Sequence, residues 1–507
     1  MSPSAGETRV LERLLPDEEA TARLGEDIAM ALRPGDTLAL AGDLGAGKTT
    51  LARGVIRAMA GEPALDVPSP TFTLVQSYET RVPLHHFDLY RLAAPSELDE
   101  LGLDEMLSAG AALIEWPDRA GDRLPPDAVK LELTHDGEGR LARIAGAGPA
   151  FERIARSFAI REFLAGPGWG EAARRYFTGD ASARSYETVT LPGEQPRVLM
   201  NAPRLVLGPP VRDGRPYADI AHTAQTVAAF VAIDRALANA GVSVPEILGQ
   251  DLDNGFLLLS HLGAGSFLDP EGRPVAERYT AAAELLADIH SRHWSSRLEA
   301  APGVVHQLPD FDRDAMAIEV ELLVDWYVRY ATGRPAGEAM RAGYASAWSA
   351  VFDRLEHAEM GLVLRDFHSP NIVWRGDRAG HDRLGILDFQ DALIGPSAYD
   401  VASLALDARV TVPPSIEKAT VDAYVAARKR LGAFDETAFA EAYAIMAAQR
   451  NSKILGIFVR LNERDGKPAY LQHLPRIANY LERALAHPAL AELAGFYRRN
   501  GLIGDVA

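Results

Sequence analysis

Residues 42–49 read GDLGAGKT, a pattern whose residue types suit a triphosphate. Gly42, Gly45 and Gly47 let the backbone curl until successive N–H groups point inward at phosphate oxygens. Lys48 adds a point charge for the outer phosphates, and the Thr49 hydroxyl suits a Mg²⁺ ligand. Thr50 completes this nucleotide-binding set. The apolar run Asp36–Ala41 predicts a strand and Lys48–Ala60 a helix, so the phosphate would lie on a helix N-terminus. The competing reading is a glycine-rich turn without chemistry. Acidic partners are needed for the metal and the attacking group. Asp88 in HHFDLYR and Glu115 in LIEWPD end predicted strands, the place where α/β sheets bind ligands. The run Pro68–Thr73 is stiffened by proline and rich in hydroxyls, and could close over a γ-phosphate as a switch loop does. Of the neighbours His85 and His86, which face opposite ways on a strand, one belongs to the core and one to the surface.

A second constellation lies 250 residues on. Asp366-Phe367-His368-Ser369-Pro370-Asn371 follows an apolar Gly361–Leu364, and Ile386-Leu387-Asp388-Phe389 comes downstream. Asp-x-x-x-x-Asn, then a hydrophobic strand ending in Asp-Phe, is the layout of a kinase catalytic loop and metal loop. Asp366 would accept the proton of an attacking hydroxyl. Asn371 can turn back to ligate Mg²⁺, and Asp388 would bridge a metal to the phosphates. Upstream, Gly179–Arg184 (GDASAR) lies between strand-like segments, as a phosphate-covering loop should, with Ser182 and Arg184 as its candidate contacts. Phe256–Ser260 followed by His261-Leu262-Gly263 has the form of a segment joining a small lobe to a helical one. The alternatives are unrelated surface loops and a buried strand.

These residues require two scaffolds. A chain of 507 residues exceeds one core, and 47% hydrophobic content describes an ordinary globular protein. Residues 1–145 interleave short apolar strands (Leu74–Tyr78, Leu84–Asp88, Ala112–Trp116, Lys130–Leu133, Leu141–Ile144) with helical stretches, one near Ser96–Leu107. That alternation predicts an α/β domain with a mostly parallel sheet. GAGP at Gly146–Pro149 marks a break, and the boundary is set near residue 150, giving domains 1–150 and 151–507. Beyond it, Tyr186–Thr190 and Arg197–Met200 read as strands. Long helices are then predicted at Glu277–His293, Asp314–Tyr330, Gly337–His357, Ser415–Leu431 and Glu436–Leu461. The net charge is −18, divided as −11 in residues 1–150 and −7 in the rest, so neither part is suited to gripping a nucleic-acid backbone unaided. There is no cysteine, which excludes disulfides and thiolate metal sites. The acidic start and the lack of a membrane-length apolar run place the chain in the cytoplasm, away from membranes.

SPTFTLV, HFDLYR and IEWP, in that order after GDLGAGKTT, closely resemble the ATPase subunit of the bacterial tRNA threonylcarbamoyladenosine system (TsaE), over residues 8–145. The resemblance implies an ATPase of modest turnover acting on the threonylcarbamoyl transfer proteins, similar to TsaB and TsaD, and touching tRNA only through them. It also implies that Lys48 and Thr49 bind phosphate and Mg²⁺, that Thr71 is the switch hydroxyl, that Asp88 and Glu115 handle metal and water, and that Trp116 packs near the nucleotide.

Residues 155–490 resemble the two-lobed aminoglycoside phosphotransferase and choline kinase superfamily. Within it GDASARSY, VLMNAP, RDFHSPN, LDFQDA and QRNSKILGIFVRL are similar to the bacterial kinases of N-acetylmuramate and N-acetylglucosamine (AmgK). The resemblance implies ATP-dependent phosphorylation of an anomeric hydroxyl in cell-wall recycling, with ATP and Mg²⁺ as cofactors. Two departures stand out. Leu364 replaces a common His. Met200 and Asn201 stand where the nucleotide-holding Lys is expected, and the helix expected at Asp219–Leu237 shows no Glu partner for one. Arg184 or Arg204 could supply the missing charge. A lactyl carboxylate calls for a basic group, for which Arg450, Lys453 and Arg460 are candidates. Glu319, Glu321, Asp325 and Trp326 could line a sugar pocket. A solvated basic face and a plain amphipathic helix explain the same residues. Other readings are a P-loop kinase of some metabolite in the first half, and a kinase of another alcohol or a non-catalytic module in the second.

Overall fold

The computed structural model describes residues 7–177 and 184–503. The chain divides into two compact units. One runs to Asn201 and takes in Leu248–Asp251 and Phe256–His261; the other holds Ala202–Ile247, Leu252–Gly255 and the chain from Leu262 onward.

The first unit begins with β1 (Arg9–Leu15), α1 (Glu18–Ala31), β2 (Thr37–Ala41) and α2 (Lys48–Ala60). It continues through β3 (Val75–Tyr78), β4 (Leu84–Asp88), β5 (Ala111–Glu115), β6 (Val129–Asp136) and β7 (Gly139–Gly146). These strands form one sheet in the order β1-β7-β6-β2-β5-β4-β3. Its centre, β4-β5-β2-β6, is parallel; β3 on one side and β7 and β1 on the other add antiparallel edges. β2 (TLALA) and β5 (AALIE) are unbroken buried runs, the pattern of strands covered on both faces. Asp17 caps α1 by accepting from the Ala20 amide at 2.7 Å. α1 and α2 touch at Gly25, where a Cβ would come 2.8 Å from the Gly54 carbonyl carbon. β1 and α1 were not foreseen from sequence. RVLERLL is an exposed edge strand, and its mixed polarity hides it. The helical stretch near Ser96–Leu107 is two single turns, Glu97–Glu100 and Leu103–Leu107, parted by Gly102 at φ 75°.

α3 (Pro149–Ala165) leads from this sheet to a second one of five strands. It comprises β8 (Ala173–Phe177), β9 (Ser185–Thr190), β10 (Arg197–Asn201), β11 (Ile247–Asp251) and β12 (Phe256–Ser260), in the order β11-β12-β10-β9-β8. Ile160 and Leu164 of α3 pack on Val189, Leu199 and Leu258. One face of this sheet is therefore closed by α3.

The second unit is mainly helical. It holds α4 (Val227–Asn239), α5 (Ala276–Ser291), α6 (Arg313–Leu322) and α7 (Glu338–Asp353). β13 (Met360–Val363), β14 (Ile372–Trp374), β15 (Leu384–Ile386) and β16 (Leu393–Pro396) form two antiparallel pairs, β13 with β16 and β14 with β15. α8 (Ala398–Ala405), α9 (Pro414–Leu431) and α10 (Glu436–Glu463) follow. The helix expected at Asp219–Leu237 is a turn at Tyr217–Ile220 and then α4, separated by His222 in a left-handed conformation at φ 54°. Every residue of α8 is buried. Among the described residues no helix is long and apolar enough to cross a membrane.

Candidate functional sites

In the first unit the strand order brings three strand ends together. The glycine loop follows β2, Asp88 ends β4 and Glu115 ends β5, with Asp88 and Glu115 paired directly across the two strands. Gly42, Gly45 and Gly47 have φ of 138°, 79° and 105°. A side chain on Gly42 would strike the Leu133 carbonyl oxygen at 2.5 Å. These are the positions at which only glycine gives an open amide cradle. Lys48 turns back over the loop and donates to the Gly42 and Asp43 carbonyls at 2.7 and 2.9 Å. Its ammonium lies 3.8 Å from the centre of the Trp116 ring. Burial lowers its pKa, opposed by Glu115, Asp88 and Asp43. A cation held by carbonyls and an aromatic face, rather than by a carboxylate, can be transferred to phosphate without breaking an ion pair.

The Thr49 hydroxyl donates to Glu115 Oε2 at 2.9 Å. Asp88 Oδ2 accepts from Ser69 and Thr71 at 2.8 and 2.7 Å, which ties the proline-stiffened loop to the strand end. Thr71, Asp88, Glu115, Thr49, Lys48 and Trp116 thus form one cluster, with Thr50 half-buried on the first turn of α2. The oxygen donors of Thr49, Asp88 and Glu115 fit a small hard cation that takes its other ligands from phosphates.

His86 is the residue missed in this cluster. It is fully buried, and its Nε2 lies 2.9 Å from Glu115 Oε1. Its period-two position on β4 marked it only as core or surface. The partner on the neighbouring strand is what makes it part of the site. His85 is half-buried and bonds Ser77.

In the second sheet Met200 is 1% exposed and lies on the face opposite α3. Asn201 faces α3 and accepts from Arg156 at 2.9 and 2.7 Å. β10 therefore presents no lysine on either face. Arg184 is half-buried; Gly179–Ala183, including Ser182, lie outside the described residues.

In the second unit Asp366, Asn371 and Asp388 converge. Asn371 Nδ2 donates to the Asp366 carbonyl at 2.9 Å and to Asp388 Oδ2 at 3.3 Å, and Gln390 steadies Asp388 Oδ1 at 2.9 Å. Asp388 has φ 57° and Arg365 φ 67°, conformations that surrounding bonds must enforce. On the 364–371 loop two buried carboxylates do so. Asp400 on α8 receives the Leu364 and Arg365 amides at 2.6 and 2.9 Å, and Asp407 receives the Ser369 amide at 2.8 Å. The Arg365 side chain is clamped by Glu319, which also binds Lys453 at 2.6 Å and Gln449 at 2.9 Å. Burial opposes the charge on Lys453, but Glu319 outweighs it and raises the Lys453 pKa. Sequence reasoning missed Asp400, Asp407 and Gln449, and placed Glu319 in a sugar pocket. Glu321 pairs with Arg212 and Asp325 with Arg341. Arg450 is buried, and Arg460 lies over the Tyr217 ring at 5.5 Å. Asp366, Asn371 and Asp388 have the residue types and spacing of a phosphoryl-transfer loop, and their oxygens fit a small hard cation such as Mg²⁺.

A P-loop at the head of a parallel sheet and a kinase-like catalytic loop define two classes of phosphate chemistry. Comparison with known proteins agrees. A family model described as threonylcarbamoyl adenosine biosynthesis protein TsaE matches residues 15–143, and one described as phosphotransferase enzyme family matches residues 174–434. The N-acetylmuramate/N-acetylglucosamine kinase of Caulobacter vibrioides is 35% identical over 355 residues, 68% of this chain and 96% of that protein. Its namesake from Pseudomonas aeruginosa is 35% identical over 348 residues, 66% of this chain and 91% of its own length. The tRNA threonylcarbamoyladenosine biosynthesis protein TsaE of Rickettsia felis is 41% identical over 121 residues, 24% of this chain and 70% of that protein. The chain belongs to the TsaE family in its N-terminal part and to the phosphotransferase enzyme family in the remainder.

Proposed function

We propose that this is a bifunctional enzyme of two modules, residues 1–150 and 151–507. The first hydrolyses ATP in support of tRNA threonylcarbamoyladenosine modification. The second phosphorylates N-acetylmuramate or N-acetylglucosamine at the anomeric hydroxyl. The observation that carries this reading is the presence of two separate sets of phosphate-handling groups on unrelated scaffolds: Lys48, Thr49, Asp88 and Glu115 in one, Asp366, Asn371 and Asp388 in the other.

In the first module the amides of residues 42–48 would cradle the phosphates, Lys48 would swing from its carbonyls to the outer phosphate, and Thr49 with Asp88 or Glu115 would hold Mg²⁺. The other carboxylate would orient water. The Thr71 loop would close over the γ-phosphate, and Trp116 would pack near the nucleotide. Partners of the TsaB and TsaD kind would bring the tRNA, as the −18 net charge favours.

In the second module Asp366 would take the proton of the sugar hydroxyl as its oxygen bonds to the γ-phosphorus and the bond to the β-phosphate oxygen breaks, releasing ADP. Asn371 and Asp388 would hold Mg²⁺, which offsets charge on the phosphates. Ser182 and Arg184 would meet the phosphates in place of the absent lysine.

The test is the purified chain with ATP, Mg²⁺ and each amino sugar, the product resolved by NMR, with kanamycin and choline as control acceptors. A sugar 1-phosphate is expected. Phosphorylation of only a control acceptor would overturn the substrate assignment.

A further inference from the structure

Asp27 on α1 sits 5% exposed at the seam between α1 and the five-stranded sheet. Its carboxylate accepts from Arg161 Nε at 3.0 and 3.2 Å, from Arg161 Nη2 at 2.8 Å and from Arg174 Nη1 at 2.6 Å. Its backbone carbonyl accepts from the Ser157 hydroxyl at 2.6 Å. Arg161, on α3, uses its remaining group on the Gly170 and Ala172 carbonyls at 3.0 and 2.6 Å. Arg174, on β8, grips both oxygens of Glu187 on β9 at 2.7 and 2.8 Å, and donates to the Ser157 carbonyl at 3.0 Å. Arg174 and Glu187 are 1% and 4% exposed.

The charge balance decides what this cluster means. Two guanidiniums meet two buried carboxylates, Asp27 and Glu187, with the more exposed Glu26 at longer range, and Asp27 comes from the P-loop half. Without Asp27, Arg174 retains Glu187, while Arg161 keeps two carbonyls and a longer 3.4 Å contact to Glu26. Glu26 is the weaker partner, 3.4 Å from Arg161 with a side chain 26% exposed, against 2.8 Å and 7% for Asp27. Arg161 is 16% exposed, and a largely desolvated cation that loses its closest counter-charge is strongly destabilised. The same seam carries a bidentate Arg153–Asp36 pair at 2.6 Å and the Arg81 guanidinium 4.5 Å from the Tyr176 ring centre.

We propose that α1 of the P-loop half is a structural component of the phosphotransferase half. Asp27 supplies the buried carboxylate that holds α3, β8 and β9 together, and the five-stranded sheet keeps its geometry only with α1 docked. Asp27 is a positioning residue for the second activity although it lies in the first module. The two functions are then separable in chemistry but not in folding.

The test is hydrogen exchange on the full-length chain. In Asp27→Asn, amide protection in β8, β9 and β10 should fall at least tenfold while β2 and β5 keep theirs. Adding Arg161→Gln removes the orphaned cation, so the double variant should regain most of that protection. Should Asp27→Asn accumulate only as insoluble protein, the double variant should restore soluble, protected protein. Wild-type protection of β8–β10 in Asp27→Asn, or a double variant no better than the single one, would overturn the proposal. A parallel readout is the KM for ATP in sugar phosphorylation, which should rise at least fivefold in Asp27→Asn and return toward wild type in the double variant. Exchange is read without substrate. Failure of the sugar assay therefore counts against the assigned reaction, and wild-type exchange counts against the seam.

Discussion

The P-loop cluster is assembled from strand ends that are hydrogen-bonded neighbours, and its cradle is main chain. The second cluster is assembled on a loop whose shape depends on carboxylates from distant parts of the chain. At the P-loop, three glycines with left-handed torsions make the cradle, and Lys48, Thr49, Asp88 and Glu115 need only the parallel register of β4, β5 and β2 to meet. On the 364–371 loop, Asp400 holds two amides, Asp407 a third, and Glu319 clamps Arg365. A backbone-built site is local and therefore compact in sequence. A side-chain-braced site distributes its supports, so its reactive residues and its braces are separate problems.

The sharpest way to break the comparison is to silence each site in turn. Asp388→Asn should lower sugar phosphorylation by about 10³-fold and leave the ATPase of the P-loop half unchanged. Lys48→Ala should cut that ATPase on the order of a hundredfold and leave sugar phosphorylation within twofold. Steady-state assays of both reactions on each variant decide it, and loss of both activities in either variant would refute independent chemistry.

A smaller effect concerns a buried acid beyond the braces. Asp234 on α4 is 4% exposed, its Oδ2 has no hydrogen-bond partner among the described residues, and burial pushes its pKa up to about 7. The folded state then holds its proton more tightly than the unfolded chain does. Stability is greatest below the unfolded pKa, near 4, and is lost as pH rises through 7. Between pH 5 and pH 8 the wild type should lose about 2–3 kcal/mol relative to Asp234→Asn. Urea unfolding at the two pH values measures it, and an equal difference at both would remove Asp234 from the account.

The mildest change sharpens the P-loop side. His86→Asn removes the imidazole that orients Glu115, and ATPase turnover should fall roughly tenfold with nucleotide affinity near wild type. A wild-type turnover would show that Thr49 alone sets the Glu115 rotamer.

How much of this was readable follows the same division. The strands around the glycine loop, the long helices of the second unit and the candidate residues of both clusters stand in the sequence as apolar runs, periodicity and spaced motifs. β1 escaped because an exposed edge strand has no apolar alternation to display. The helix expected at Asp219–Leu237 was misdrawn because a left-handed His222 breaks it, a torsion no residue type announces. The absence of lysine from β10 was visible, but that Met200 is buried on one face while Asn201 turns to Arg156 on the other required the sheet.

What residue order determined by itself is what local backbone can express: a glycine-rich loop with positive torsions, a proline-stiffened hydroxyl loop and an Asp-x-x-x-x-Asn loop. Tertiary structure alone decided which carboxylates meet which cations. Asp27, Asp400 and Asp407 look like any other acids along the chain, and Glu319 stands out only as a candidate pocket residue. They acquire roles because burial strips their water and leaves long-range partners as the only means of satisfying their charge.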